Sequence, residues 1–337
     1  MTDGHGDDIY HYKQIKSNFS SNVCHQTNHD GLKQYLYEHM DSIRAYPEPE
    51  PYSLEQKIAD YYGITPESVC VTNGATEAIY LIAQAYRESH SFIKMPTFSE
   101  YADACRLHAH QVHPIYDLNR LPEKPVLIWL CNPNNPTGEV CDINQLKQLI
   151  ENYPQHLFIL DQSYEAFTLK RIIGVKEALS CPNVLQLHSM TKQFAVPGLR
   201  IGYATGHPLL VGKLRKCRMP WSVNALAIAA GKYLLGHAQE YQPDIQALLR
   251  EKDRVAEALR RTGGMEVWDS DTHYMLVQLR SGRAAALKEF LATRYGILIR
   301  DASNFEGLDE RFFRIAIQTS TENNQLIDRI KEWIYTC

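Results

Sequence analysis

In the segment HSMTKQFAVPGLRIGY, residues 188–203, Lys192 follows the hydroxyls of Ser189 and Thr191 and precedes Arg200 by eight residues. A lysine amine can bond covalently to an aldehyde. Hydroxyls and a guanidinium can hold a phosphate through charge-assisted hydrogen bonds. One short segment therefore offers an anchor and a phosphate clamp for a single aldehyde-bearing, phosphorylated cofactor. The same residues also fit a solvated loop after an apolar strand, and short motifs match by chance. The rest of the chain has to decide.

Three further segments bear on that choice. TNGATEA (72–78) opens a helix, so Gly74, Ala75 and Thr76 offer backbone N–H groups and a hydroxyl to a phosphate. A plain strand-to-helix turn would read the same way. CNPNNPTGEV (131–140) carries two Asn-Pro pairs, which stiffen the backbone and suit a rigid turn presenting an asparagine amide. X-Pro bonds are also where cis peptides occur. LDQSYEAF (160–167) puts Asp161 at the end of an apolar run. A carboxylate there can pair with a protonated pyridine nitrogen, and it fits a helix N-cap as well. Tyr164 can hydrogen-bond a ring hydroxyl. Together with Lys192 these segments point to pyridoxal 5′-phosphate.

The elements that must position these residues alternate. Strand-like runs at 68–72, 91–95, 111–115, 125–131, 156–161, 183–188 and 201–205 are interleaved with helical patterns at 75–86, 99–109 and 143–153. Helices at about 30–40 and 53–64 precede them. PVLIWLC (125–131) is an almost continuous apolar run, as expected of a strand buried on both faces. Such alternation predicts a mostly parallel sheet wrapped by helices. Ligands in such sheets bind at the carboxyl ends of the strands, where the four segments fall. After PWSVN the chain turns helical to about residue 262. Strand-like MEVWD, YMLVQLR, ILIRD and FRIAIQT follow, with helices near 284–295 and 322–335, which predicts a second, α+β unit. Residues 1–45 read as an arm and a first helix.

The 337 residues are 44% apolar and 22% charged, with a formal charge of −4. That balance leaves no footprint for nucleic acid or an anionic membrane. No apolar run reaches bilayer length, and MTDGHGDDIYHYKQ does not read as a signal peptide. The cysteines (Cys24, Cys70, Cys105, Cys131, Cys141, Cys181, Cys217 and Cys337) are scattered, which predicts reduced thiols in a cytoplasmic protein. The histidines show no metal-site spacing.

On these motifs the chain resembles the fold-type I pyridoxal-phosphate enzymes of the class I/II aminotransferase family over essentially its whole length. The resemblance implies an α/β fold like that of aspartate aminotransferase. A mostly parallel seven-stranded sheet lies between helices in a large cofactor-binding domain (46–240), beside a smaller α+β domain (241–337). An N-terminal arm (1–45) joins the small domain. By the same resemblance Lys192, Asp161 and Tyr101 are catalytic. Lys192 bears the cofactor, Asp161 faces the pyridinium, and Tyr101, in PTFSEY, stacks on the ring. Asn135 and Tyr164 contact the ring hydroxyl. Gly74, Ala75, Thr76, Ser189, Thr191 and Arg200 form the phosphate cup. Tyr46 reaches the neighbouring subunit's cofactor phosphate, which implies a homodimer. Arg314, in FFRIAIQT, holds the substrate carboxylate.

Two subgroups of the family fit, the threonine-phosphate decarboxylases and the histidinol-phosphate aminotransferases, and both imply a phosphorylated amine as substrate. Arg300, in ILIRD, matches the arginine used for that phosphate, with His5 and Asn22 as further substrate contacts. HGDDI at the N-terminus, RMPWSVNALA (218–227) and ILIRDASNFEGLDERFFRIAI (297–317) resemble the decarboxylases more. Asp7 and Asp8 depart from that pattern, where Gly and Asn are usual. Gln318 replaces an arginine, and Tyr164 is more typical of the aminotransferases.

Overall fold

Seven of the apolar runs pair into one sheet, and the order of its strands places the chemistry. The structure, a computed structural model, describes residues 6–23 and 27–336; His5 lies outside them. β1 (Ser17–Asn18) and α1 (Asp30–Glu38) lead to α2 (Tyr52–Tyr62). Next come β2 (Val69–Thr72), α3 (Gly74–Ala85), β3 (His90–Lys94), α4 (Glu100–Leu107), β4 (Gln111–Ile115) and β5 (Leu127–Cys131). They are followed by α5 (Ile143–Asn152), β6 (Leu157–Asp161), α6 (Val175–Leu179), β7 (Val184–Ser189), the single turn α7 (Met190–Gln193) and β8 (Gly202–Gly206). α8 (Pro208–Cys217), α9 (Ala225–Gly236) and α10 (Ile245–Arg260) lead into β9 (Met265–Val267) and β10 (Tyr274–Leu279). The chain ends with α11 (Ala284–Tyr295), β11 (Ile297–Leu298), β12 (Arg300–Asp301), β13 (Phe312–Ala316) and α12 (Ser320–Thr336).

The large sheet runs β2-β8-β7-β6-β5-β3-β4, and only β8 is reversed. β5 shows why the run 127–131 is apolar throughout. Leu127, Trp129 and Cys131 face one core with Ile79, Ile82 and Leu214, while Ile128 and Leu130 face another with Leu146 and Ile150. Side chains alternate across a strand, so a strand covered on both sides has no polar face. The register sets Cys131 of β5 beside Asp161 of β6, and Ser189 closes β7 at the same end of the sheet.

A second sheet, β12-β13-β10-β9, is antiparallel. Val255, Leu259, Leu287, Leu291, Leu326 and Ile330 from α10, α11 and α12 cover it. The first 45 residues divide their contacts. β1 pairs with β11 and Phe19 enters this second core, whereas Leu32 of α1 packs with Leu54, Ile58 and Leu234 from α2 and α9. The helical stretch expected to residue 262 is two helices. They are split at 237–244, where Pro243 cannot extend a helix and the Asp244 side chain caps α10 through Ala247 N–H. The sequence pattern missed α8, which starts at Pro208 in the first helical turn. The described cysteines are free thiols. Among the described residues no helix is long and apolar enough to cross a membrane.

One buried ion cluster ties α2 to the sheet edge. Glu55 is 2% exposed; it accepts from Arg218 Nη1 at 2.6 Å, Arg215 Nη2 at 2.8 Å and Val71 N–H at 3.1 Å. Removing one member of such a cluster leaves buried charge without compensation, at a cost of about 3 kcal/mol or more. Glu55→Gln should therefore lower the urea midpoint by an amount equivalent to about 3 kcal/mol. A change below about 1 kcal/mol would show that water compensates the two arginines.

Candidate active site

The carboxyl ends of β5, β6 and β7, the start of α3 and residues of the second sheet enclose a cavity of about 230 Å³. Ala75, Thr76, Tyr101, Asn135, Asp161, Tyr164, Ser189, Thr191, Lys192 and Arg200 all line it, as do Asn22, Arg300 and Arg314. Segments more than two hundred residues apart in the sequence therefore meet at one place. Tyr46 lies elsewhere: it is 86% exposed, with its ring 5.6 Å from that of Trp221.

Lys192 follows β7 on the one-turn helix α7. Its amine makes no hydrogen bond or ion pair among the described residues, and it lies 5.9 Å from the centre of the Tyr164 ring. Burial, and then the charge of Arg314, push the ammonium down to about 8. Asp7 and Asp161 pull weakly the other way. The amine is thus poised to be neutral a little above neutral pH, which a nucleophile or proton carrier requires.

Asp161 closes β6 and is 4% exposed. Its Oδ1 accepts from Ser163 N–H at 2.9 Å, and its Oδ2 accepts from the Tyr101 hydroxyl at 2.6 Å. Burial and the neighbouring carboxylate keep the Tyr101 phenol protonated, so it remains a donor. The carboxylate caps its own turn and still faces the cavity, so the two readings of this residue are compatible. Tyr101 stacks on Trp129 with centroids 5.6 Å apart, which fixes its ring as one wall.

The Asn-Pro turn is rigid because two of its asparagines are used structurally. Asn132 Oδ1 accepts from Cys141 N–H at 2.9 Å, and the Asn134 amide donates to Pro96 O and Thr137 Oγ1, both at 2.9 Å. Asn132–Pro133 and Asn135–Pro136 are cis. Asn135 is left to face the cavity, where its Oδ1 accepts from Arg314 Nη1.

At the other end of the cavity, α3 begins beneath Arg200. The first N–H groups of a helix have no partner within it, and the Ser189 and Thr191 hydroxyls, 2.7 Å apart, stand beside them. Gly74 has φ +80°, and a Cβ there would come within 2.5 Å of Arg200 Nη2. Only glycine lets the guanidinium settle over the helix start. N–H donors, two hydroxyls and a guanidinium form a donor set suited to a phosphate dianion.

Across the cavity, Arg300 of β12 and Arg314 of β13 are register partners, 8% and 5% exposed. Arg314 Nη2 donates to Ser20 O at 2.6 Å; Arg300 donates to Asp301 O at 2.6 Å and Asn304 Oδ1 at 2.8 Å. Among the described residues neither arginine makes an ion pair. Burial, then the charge of Arg314, bring Arg300 down to about 10, and it stays charged at neutral pH. Arg314 Nε is buried without a hydrogen-bond partner among the described residues, and the Asn22 amide is buried beside Tyr164. Buried polar atoms are normally satisfied, so these groups fit a bound ligand. Ser20, Ser163 and Phe305 also line the site and were not foreseen. Ser20 lies in the polar stretch SNFSSN, which carries no periodic signal, whereas the place of Ser163 two residues after Asp161 was a usable hint.

The profile of the family "Aminotransferase class I and II" matches residues 14–330. The chain belongs to that family and is a pyridoxal-phosphate-dependent enzyme. It is similar to the threonine-phosphate decarboxylase of Salmonella typhimurium, 29% identical over 93% of this chain and 90% of that protein. It is also similar to the histidinol-phosphate aminotransferase of Thermoanaerobacter pseudethanolicus, 29% identical over 86% of this chain and 84% of that one. The solved structure of L-threonine-O-3-phosphate decarboxylase from Porphyromonas gingivalis superposes with a TM-score of 0.92 at 36% identity, covering 95% of this chain and 100% of that one.

The lowered Lys192 value is testable without the cofactor. In cofactor-free protein, modification of Lys192 by a small amine-directed reagent, followed by peptide mapping, should titrate with a midpoint near pH 8. The amine is protonated and inert below that pH and reactive above it. A midpoint near that of an ordinary lysine, about 10.4, would contradict the buried, cation-flanked environment.

Proposed function

We propose that the chain decarboxylates a phosphorylated amino acid of the threonine-phosphate type. The observation that carries this reading is the buried pair Arg300 and Arg314, set directly opposite each other on antiparallel strands with no ion pair to an acid among the described residues. Like charges placed opposite each other in a sheet are destabilising, and burial raises the cost. A ligand with two anionic groups offsets both. Threonine phosphate supplies one carboxylate and one phosphate, one for each guanidinium. The similarity to threonine-phosphate decarboxylases supports the same choice.

In this reading Lys192 holds the cofactor through its amine, and Ala75, Thr76, Ser189, Thr191 and Arg200 hold the cofactor phosphate. Gly74 makes room for Arg200. Asp161, steadied by Tyr101 and Ser163, faces the ring nitrogen; Asn135 and Tyr164 face the ring hydroxyl; Tyr101 flanks the ring. When bound, pyridoxal phosphate supplies an electron sink for the pair released at the substrate α-carbon. Arg314 takes the carboxylate and Arg300 the phosphate, with Asn22 beside them. Together they orient the α-carbon, and that orientation selects whether the carboxylate or the Cα–H bond breaks. The Lys192 amine, on the wall of the same cavity, would be the group to move a proton at that carbon. Tyr164 and the equal identity to a histidinol-phosphate aminotransferase favour the alternative, amino transfer of the histidinol-phosphate type to 2-oxoglutarate.

A homodimer belongs to the same proposal. The exposed Tyr46, Met219 and Trp221, at 86%, 70% and 51%, suit a subunit contact through which Tyr46 reaches a neighbour's cofactor phosphate. Separate sheets and cores support a division of the chain near residue 240 into a cofactor-binding and a smaller domain.

The holoenzyme should release carbon dioxide from threonine phosphate without any keto-acid acceptor. Arg300→Ala should raise KM for that substrate roughly 100-fold, the loss expected for a charge-assisted contact, with a much smaller effect on unphosphorylated threonine. No release of carbon dioxide, together with acceptor-dependent turnover of histidinol phosphate, would establish the transaminase instead. Equal effects of Arg300→Ala on both substrates would remove Arg300 from phosphate recognition.

A further inference from the structure

The side chain of Tyr274 connects the two walls of the cavity from behind. It lies on β10 of the smaller sheet and is 0% exposed. Its ring meets that of Tyr164 edge-on, with centroids 5.0 Å apart, and the Cζ of Arg314 stands over its face, 5.6 Å from the ring centre. Its hydroxyl donates to Asn134 O at 2.9 Å. Burial, and then the neighbouring Tyr164, push the phenol up, so it stays a donor. Asn134 precedes Asn135, whose Oδ1 accepts from Arg314 Nη1. One side chain thus touches the arginine of the smaller sheet, the tyrosine that follows β6 and the Asn-Pro turn that follows β5.

The residues just before Tyr274 are seated on the same turn. Asp271 N–H donates to Gly138 O at 2.9 Å, and Asp271 Oδ2 accepts from Val140 N–H at 3.0 Å. Lys170 pairs with the other Asp271 oxygen at 3.0 Å. Gly138 has φ +74°, and a Cβ on it would come within 1.9 Å of Ser270 Oγ. That hydroxyl donates to Tyr274 O at 2.5 Å.

We propose that Tyr274 is a positioning residue: it fixes the Arg314 guanidinium against Asn135 and Tyr164, so that a substrate carboxylate held by Arg314 lies at a set angle to the cofactor. The inference rests on the assignment of Arg314 to the substrate carboxylate. The physical reason is that Arg314 and the groups facing the cofactor belong to different sheets. An arginine side chain is long, and its bonds to Asn135 and Ser20 engage only its Nη atoms. The Tyr274 ring gives the cation an aromatic face to rest on. The Tyr274 hydroxyl ties the backbone that carries Asn135 to that same ring. A displacement of about 1 Å in a bound group can cost about 100-fold in rate, so the alignment bears on turnover more than on affinity.

Tyr274→Phe keeps the ring and removes the hydroxyl. Asn134 O retains its bond from Gly138 N–H at 2.7 Å, so the buried carbonyl keeps a partner. In the pyridoxal-phosphate-loaded variant with threonine phosphate, kcat should fall about tenfold while KM stays within about twofold, the split expected when binding contacts survive and alignment does not. A second readout needs no turnover. 4-Phosphonobutyrate carries a carboxylate and a phosphonate at the spacing of threonine phosphate, but no amine. Its dissociation constant, measured by calorimetry, should change by less than about twofold in Tyr274→Phe. Asp271→Ala frees the same turn at Val140 and should lower kcat about fivefold with that affinity kept.

Wild-type kcat in Tyr274→Phe would overturn the inference, and wild-type kcat in Asp271→Ala would count equally against it. A loss of 4-phosphonobutyrate affinity as large as the loss of kcat would also overturn it, since the residue would then support the site as a whole. Arg314→Ala separates the two levels. If 4-phosphonobutyrate binds that variant like the wild type, the assignment of Arg314 fails, and the inference with it. If binding needs Arg314 but kcat is indifferent to the Tyr274 hydroxyl, the inference alone fails.

Discussion

Two guanidinium groups held opposite each other in a buried site are the constraint around which the rest of the cavity is arranged. Arg300 and Arg314 are register partners on β12 and β13, and the hydrogen bonds they make among the described residues go to carbonyl and amide oxygens, not to a carboxylate. Like charges so placed repel, and a ligand with two anionic groups offsets that cost. The arrangement also explains the reach of the contacts. Asn135 comes from the turn after β5 and Ser20 from the N-terminal arm, so two distant parts of the chain converge on Arg314. A cation pair anchored in this way can fix the direction of a substrate, and direction is what distinguishes one pyridoxal-phosphate reaction from another.

The opposite wall of the cavity follows from the large sheet. Parallel strands covered on both faces are mostly apolar, and a polar group within them, such as Gln186 of β7, must be hydrogen-bonded inside the sheet's cover, so groups free to face a ligand gather where the strands end. Asp161 and Ser189 stand at those ends, and Lys192 sits one turn beyond. The helix start at Gly74 and the guanidinium of Arg200 complete a phosphate cup at the same edge. Burial and neighbouring cations depress the Lys192 ammonium, and the Tyr101 hydroxyl steadies Asp161. The core that stabilises the sheet and the groups that suit the cofactor are thus products of one topology.

Much of this was legible in the residues. All seven strands of the large sheet were readable as apolar runs between turn residues, and the motifs at their ends carried the cofactor. The second wall was harder. Arg300 and Arg314 could be singled out by resemblance, but their opposition depends on strand register, which a two-residue β12 and the excursion from 302 to 311 do not betray. β1, two polar residues long, has no pattern at all, yet it places Phe19 in the smaller core and leads to Ser20. The N-terminal segment read as an arm and a first helix; in the structure the arm pairs with β11 and the helix packs on α2 and α9. Asp7 was visible only as a departure from a family pattern; its contact with Ser20 and its place on the cavity wall required coordinates.

The account turns on how a substrate lies between Lys192 and the two arginines. The most direct measurement is a crystal structure of the holoenzyme with threonine phosphate trapped by substitution of Lys192. The phosphate should lie on Arg300 and the carboxylate on Arg314, with the α-carbon between them and the cofactor. A substrate bound the other way round, or with both anionic groups away from this pair, would contradict the central claim.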